Sequence, residues 1–303
     1  MKKIFLAVTF CFMMIFNATV SAEEVDAKQA LREAMLANVE DDRVFHADIL
    51  FFIPNAQSEI GCFAVAETGS FKSSGEFSVW LTSENGDGTE LIVPFYAVQN
   101  GKDMKVYFQM DKKWYQFQSP SIAAAVTDMV ASPTDEELEQ MLDEVKEVSI
   151  LRDTDKQRTF FVRLDGDKLA DNMRKENEKN PADNVTADDK ELQEKFFKYL
   201  DTGMRNADTW YMWTINKSDG KTRNLAMHLS GLLQETARAA LNDKEQVWPD
   251  SVKELLEEIA FYGEVKSYTT FMNAEAKKKL EIPKKVLKAK PLENISDAAN
   301  TKK

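Results

Sequence analysis

Leu91-Ile-Val-Pro-Phe95-Tyr-Ala-Val-Gln-Asn100-Gly-Lys-Asp-Met-Lys105-Val-Tyr-Phe-Gln-Met110-Asp-Lys-Lys-Trp-Tyr115-Gln-Phe117 is the stretch that decides the fold class. Asn100-Gly101 is a hairpin signal, because both central positions of a tight turn need positive φ, which Asn and Gly tolerate. Closing the chain there sets Ala97 opposite Met104, Phe95 opposite Val106, Val93 opposite Phe108 and Leu91 opposite Met110. All eight are apolar. A second tight turn at Asp111-Lys112 places Tyr115 opposite Phe108 and Phe117 opposite Val106, and an odd-length loop around residues 85–87 brings Phe77, Val79 and Leu81 to the same face. The result is a β-meander with one apolar face, which covers either a packed core or a bound lipid-like ligand.

On the N-terminal side, residues 44–53 carry Phe45, Ala47, Ile49, Phe51 and Ile53 on one face and Val44, Leu50 and Phe52 on the other, until Pro54 stops the strand. Residues 60–67 and 69–81 continue the sheet into the meander. Before them, residues 27–39 have Leu31, Met35 and Val39 at helical spacing. After Ser119-Pro120 the period changes from two to 3.6. Ile122, Val126, Met129 and Val130 form one stripe; Leu138, Met141, Leu142 and Val145 form another, and Thr134 with Glu137 reads as a capping box at its start.

Strands return at residues 148–152 and 158–164, Leu169 and Met173 mark a short charged helix, and residues 177–185 read as a polar linker. Thr186 caps a helix whose inward face is Leu192, Phe196, Tyr199 and Leu200. Asp219-Gly220 signals a further hairpin, with Trp213 against Ala226, Tyr211 against His228 and Ile215 against Asn224. Ser251 with Glu254 caps a helix carrying Val252, Leu255, Leu256 and Ile259. A last strand runs over residues 263–272, and Ile282-Pro283 leads into a lysine-rich end read as a solvated tail, disordered over residues 291–303, with a weak contact to anionic headgroups as the alternative. Helical blocks between groups of antiparallel strands predict an α+β fold in which the sheet curls around helices.

Residues 1–22 read as a secretory signal: Lys2 and Lys3, an apolar run from Ile4 to Phe16, and small residues ending at Ala22. That run is shorter than the roughly 20 residues of a membrane span. The expected product is an exported protein, periplasmic or extracellular, soluble after cleavage near Ala22. Its one remaining cysteine, Cys62, has no partner for an intramolecular disulfide and reads as a small buried hydrophobe. Without the two signal lysines, 37 basic residues face 51 acidic ones, a net charge of −14; residues 277–303 alone carry +6, leaving −20 on residues 23–276. Such a charge excludes nucleic acid as the expected partner.

No catalytic constellation emerges. His46 and His228 lack a Cys or a second His at ligand spacing, so no metal is expected. Ser218 and Lys221 match Ser-x-x-Lys only by spacing, on the flanks of an expected turn, where a lysine stays hydrated. Residues 83–94 superficially match a calcium loop, but Pro94 stands at the twelfth position, where a bidentate Glu belongs. The residues therefore point to a protein that is not an enzyme and takes no cofactor.

Three stretches carry a family resemblance. The run from Val98 through Asn100-Gly101 to Trp114 and Phe117, the run from Thr209 through Trp210, Trp213 and Asp219-Gly220 to Leu229, and the run from Phe271 through Leu280-Glu-Ile-Pro283 to Val286 resemble the central hairpins, the later aromatic hairpin and the terminal strand of the LolA-like periplasmic lipoprotein carriers. Together with the pattern between them they cover roughly residues 27–290. The resemblance implies a single domain over residues 23–290 built as a half-open β-barrel, a curled antiparallel sheet with helices closing its concave face. It also implies a cavity for acyl chains, lined by Leu91, Val93, Phe95, Val106, Phe108, Met110, Tyr115 and Phe117, with Ile122, Val126 and Met129 on a lid helix. The partner so implied is a lipophilic small molecule or an acylated protein, with transient membrane or envelope-protein contact allowed. The competing expectation is a closed-core envelope module that presents a surface to another protein.

Overall fold

The computed structural model describes residues 26–36, 43–54, 56–67, 70–82, 88–100, 103–118, 134–179, 187–273, 275–276 and 280–291. The expected signal peptide, the stripe of Ile122, Val126 and Met129, and the segment after residue 291 lie outside them. Twelve strands form one sheet: β1 (Arg43–Ile53), β2 (Ala56–Glu67), β3 (Ser70–Thr82), β4 (Gly88–Asn100), β5 (Asp103–Met110), β6 (Lys113–Gln118), β7 (Val145–Asp153), β8 (Gln157–Leu164), β9 (Trp210–Asn216), β10 (Thr222–His228), β11 (Glu264–Met272) and β12 (Lys290–Pro291). Their spatial order is β12-β6-β5-β4-β3-β2-β1-β11-β10-β9-β8-β7. Every pairing is antiparallel except the short one of β12 on β6. The sheet is curled and does not close. Six helices are described: α1 (Ala27–Leu36), α2 (Asp135–Asp143), α3 (Gly166–Lys179), α4 (Ala187–Asn206), α5 (Ser230–Leu241) and α6 (Asp250–Tyr262). The fold is α+β.

Two turn signals behave differently. At Asp111-Lys112 both residues have positive φ (48° and 62°), and Phe108 pairs with Tyr115 and Val106 with Phe117, as expected. At the preceding hairpin Asn100 is the last residue of β4 and pairs with Asp103, so Phe95 faces Phe108 and Ala97 faces Val106. The register differs from the sequence reading by two residues, and a two-residue slip leaves every side chain on its face. Between β9 and β10 the ladder shifts between Thr222 and Asn224, so Trp213 pairs with Leu225, Tyr211 with Met227 and His228 with Trp210. This correction is a one-residue slip produced by a β-bulge, and it moves Ala226 and His228 to the face opposite Trp213.

The largest core joins the Phe160, Val162, Tyr211, Trp213, Ile215, Leu225 and Met227 side of the sheet to Leu31 and Met35 of α1, Leu138, Met141 and Leu142 of α2, Leu169 of α3 and Leu200 and Met204 of α4. The Thr134 capping box is present, with the Glu137 N–H bonded to Thr134 Oγ1 and the Glu137 carboxylate accepting from the Thr134 N–H. At α6 the expected Ser251 cap is replaced by Pro249 at the capping position, and the helix begins at Asp250. The α3 helix extends to Lys179, into the stretch read as linker.

The C-terminal segment departs from its reading as a solvated tail. Ala276 and Leu280 pack with Val44 and Val65, while Ile282, Val286 and Ala289 pack with Tyr96, Val98, Tyr107 and Trp114. These residues form a strap across the second side of the sheet, from β1 and β2 to β5 and β6. Val286 has no exposed surface.

Candidate functional site

Strand pairing sets the expected lining residues in rows. One row is Phe45, Ala64, Ser73, Ala97, Val106 and Phe117; the next is Ala47, Cys62, Gly75, Phe95, Phe108 and Tyr115; then come Ile49, Ile60, Phe77 and Val93, and finally Phe51, Ser58, Val79 and Leu91. Leu91, Val93, Phe95, Val106, Phe108, Tyr115 and Phe117 therefore share one face of β4, β5 and β6. Met110 belongs to the same face by alternation from Phe108. The face continues through β1 and β11 into the side that forms the large core, because Ile49 pairs with Ser267, which pairs with Met227.

Exposure along this face is graded. At one end Ala64, Ala66, Phe71, Ala97 and Met104 form a small buried cluster, with Arg43 and Gln99 buried in the same row as Met104. Phe95, Phe108, Tyr115 and Phe117, in the middle, are half-buried. At the far end Leu81 and Leu91 are 53% and 55% exposed. Phe108 is the aromatic centre, with ring centroids 5.9 Å from Tyr115 and 6.0 Å from Phe117. The face is thus an apolar trough, shut at the Met104 end and open at the Leu91 end.

Gly75 explains how Phe95 lies so close to the sheet. A Cβ at Gly75 would fall 2.1 Å from the Gly61 carbonyl oxygen and 2.9 Å from Phe95 Cζ, so the ring covers bare backbone. Sequence reading missed that β1 and β2 extend the trough, with Ile49, Phe51, Ile60 and Cys62 on its face. The signal available was Gly75 itself, since a glycine inside a strand marks close approach. Burial pushes the Cys62 thiol up to about 11, with the Asp48 carboxylate adding to the rise and a backbone hydrogen bond at Ala47 opposing it. A thiol so held stays protonated, a poor nucleophile and metal ligand.

The histidines lie on the other face. His46 Nε2 is 2.9 Å from Asp48 Oδ1 on its own strand, and the His228 ring stacks on Trp210 at 4.9 Å. Among the described residues no group of three His, Cys, Asp or Glu is placed to hold a metal ion. Two open cavities, about 440 and 390 Å³, lie away from the trough: one is lined by Tyr199, Arg238 and Asp243 between α4 and α5, the other by Arg32, Glu139 and Asp143 between α1 and α2. Several of their charged groups are paired: Tyr199 and Lys198 with Asp243, Arg238 with Glu235, Arg32 with Glu139 and Asp143 with Lys168. The sequence matches no family model and no curated protein.

Proposed function

We infer that the protein is a soluble, exported binder or carrier of a lipophilic ligand, a lipid or the acyl chains of a lipoprotein, without chemical turnover. The trough is the concave wall of a half-open barrel. One observation carries this reading: beyond the buried Met104 end, a continuous face of Leu, Val, Phe and Tyr side chains is left part-exposed across β3 to β6, while the same face of β8 to β10 is completely filled. A fully buried side chain of this kind contributes about 1.5–3 kcal/mol, so a half-exposed row holds free energy that an acyl chain can still collect. The resemblance of the hairpin sequences to the LolA-like carriers supports the same ligand class.

Purification of the mature chain under native conditions, followed by mass spectrometry of extracted lipid, tests the proposal. The expected result is a lipid retained by the wild type and lost from Phe108→Asp, with circular dichroism unchanged. A wild-type protein that is empty in every preparation and takes up no apolar dye would overturn it in favour of a closed-core envelope module.

A further inference from the structure

The strap carries a charge opposite to that of the protein it crosses. Residues 277–291 hold seven lysines and one acid, Glu281, against a net −20 over residues 23–276. Because Ile282, Val286 and Ala289 face the sheet, Lys284, Lys285, Lys288 and Lys290 are left exposed on the outer side. Lys290 pairs in register with Tyr115, two residues along β6 from the exposed Lys113, so the cations continue onto the sheet edge.

These lysines are unlike the paired ones in the molecule. Lys168, Lys198, Lys217, Lys253 and Lys266 each meet a carboxylate, respectively of Asp143, Asp243, Asp153, Glu257 and Glu264. Among the described residues no carboxylate pairs with Lys284, Lys285, Lys288 or Lys290. In their midst Leu287 is 51% exposed. Unpaired cations held on a folded shelf around an apolar side chain match the chemistry of an anionic bilayer surface, where ammonium groups meet lipid phosphates and a leucine enters the headgroup layer.

We propose that this shelf docks the protein on anionic lipid bilayers. The acidic remainder is repelled by the same surface, so the protein docks in one orientation, strap inward. The inference does not depend on the trough holding a ligand, and its test does not read lipid retention.

The mature chain, residues 23–303, is floated with vesicles of phosphatidylglycerol mixed with phosphatidylcholine and, separately, of phosphatidylcholine alone. Binding is expected only to the anionic vesicles and is expected to vanish at high salt. The joint substitution K284Q, K285Q and K288Q lowers that binding about a hundredfold, roughly fivefold for each lysine. A control with Lys28→Gln, Lys146→Gln and Lys156→Gln, three exposed lysines on α1, β7 and the β7–β8 turn, leaves it unchanged. Leu287→Ser weakens vesicle binding several-fold but has no effect on binding of soluble polyphosphate. Equal binding to neutral vesicles, no binding to anionic ones at low salt, or a wild-type level in the strap triple variant would overturn the proposal. Polyphosphate binding as tight as vesicle binding, with no effect of Leu287→Ser, would overturn it in favour of a soluble polyanion.

Discussion

The two halves of the sheet share one continuous face and treat it in opposite ways. On β8 and β9 the face carries Phe160 and Trp213, 0% and 1% exposed, with ring centroids 5.7 Å apart beneath α1, α2, α3 and α4. On β4 to β6 it carries Phe95, Phe108 and Tyr115, half-buried, grading out to the exposed Leu91. The other side reverses the pattern: the strap covers β5 and β6, whereas Tyr268 of β11 stands 46% exposed. Each half is therefore thickened on a different side. The helix-backed half can hold the fold by itself as a packed core, which frees the meander's face from that duty.

Paired truncations probe this difference most strongly. Trp213→Ala removes a fully buried ring from a filled site and is expected to cost about 3–5 kcal/mol. Phe108→Ala removes a ring that is already part-solvated and is expected to cost about 1 kcal/mol. Urea denaturation of the two variants beside the wild type measures both. Similar losses would break the comparison, because the meander's face would then be as filled as the core.

Glu144 tests how dry the helix-backed half is. It stands at the end of α2 with no exposed surface, and Asn172 of α3 donates a 2.6 Å hydrogen bond to its Oε1. Burial raises its pKa above the ordinary glutamate value, opposed by the Asn172 and Gln140 amides and aided by the neighbouring Asp143 carboxylate. A carboxyl whose folded pKa lies above its unfolded one favours folding fully below the unfolded value, and that contribution is lost as pH rises through the folded value. Glu144→Gln, which cannot ionise, is expected to be the more stable protein at pH 7, with the gain shrinking toward pH 4. Thermal melts of both proteins across that range give the answer. A gain independent of pH would mean that charge burial is not its cause.

Much of this contrast could be read from local sequence, and where it could not the reason is geometric. Asp111-Lys112 was legible because two residues of positive φ have one compact solution, and Thr134 with Glu137 because reciprocal capping involves only four residues. The Asn100 hairpin slipped by two residues without harm to the trough, since alternation survives an even shift. The bulge near Arg223 carries no signature of its own, and one extra residue there moved His228 from beside Tyr211 to beside Trp210. The strap was missed although Ile282, Val286 and Ala289 recur at near-helical spacing, because seven surrounding lysines make the composition read as solvated. The gradient from Met104 to Leu91 is a property of six strands together. No single segment encodes it.

The smallest expected effect concerns how α2 is held against the filled half. Its first turn leaves N–H groups without helical partners, and the Thr134 hydroxyl accepts from the Glu137 N–H at 3.2 Å, while the Glu137 carboxylate accepts from the Thr134 N–H. Thr134→Ala removes one of these bonds and weakens the other's geometry, at an expected cost of about 1 kcal/mol. The same helix places Leu138, Met141 and Leu142 on Leu31 and Met35 of α1, so fraying at its start loosens the cover of β7 and β8 before it reaches the trough. Amide hydrogen exchange separates the two halves directly: protection is expected to fall in α2 and β7 and to stay unchanged in β4 to β6. Equal loss of protection across both would mean that the sheet opens as one unit, and the meander's half-exposed face would then depend on the helices it does not touch.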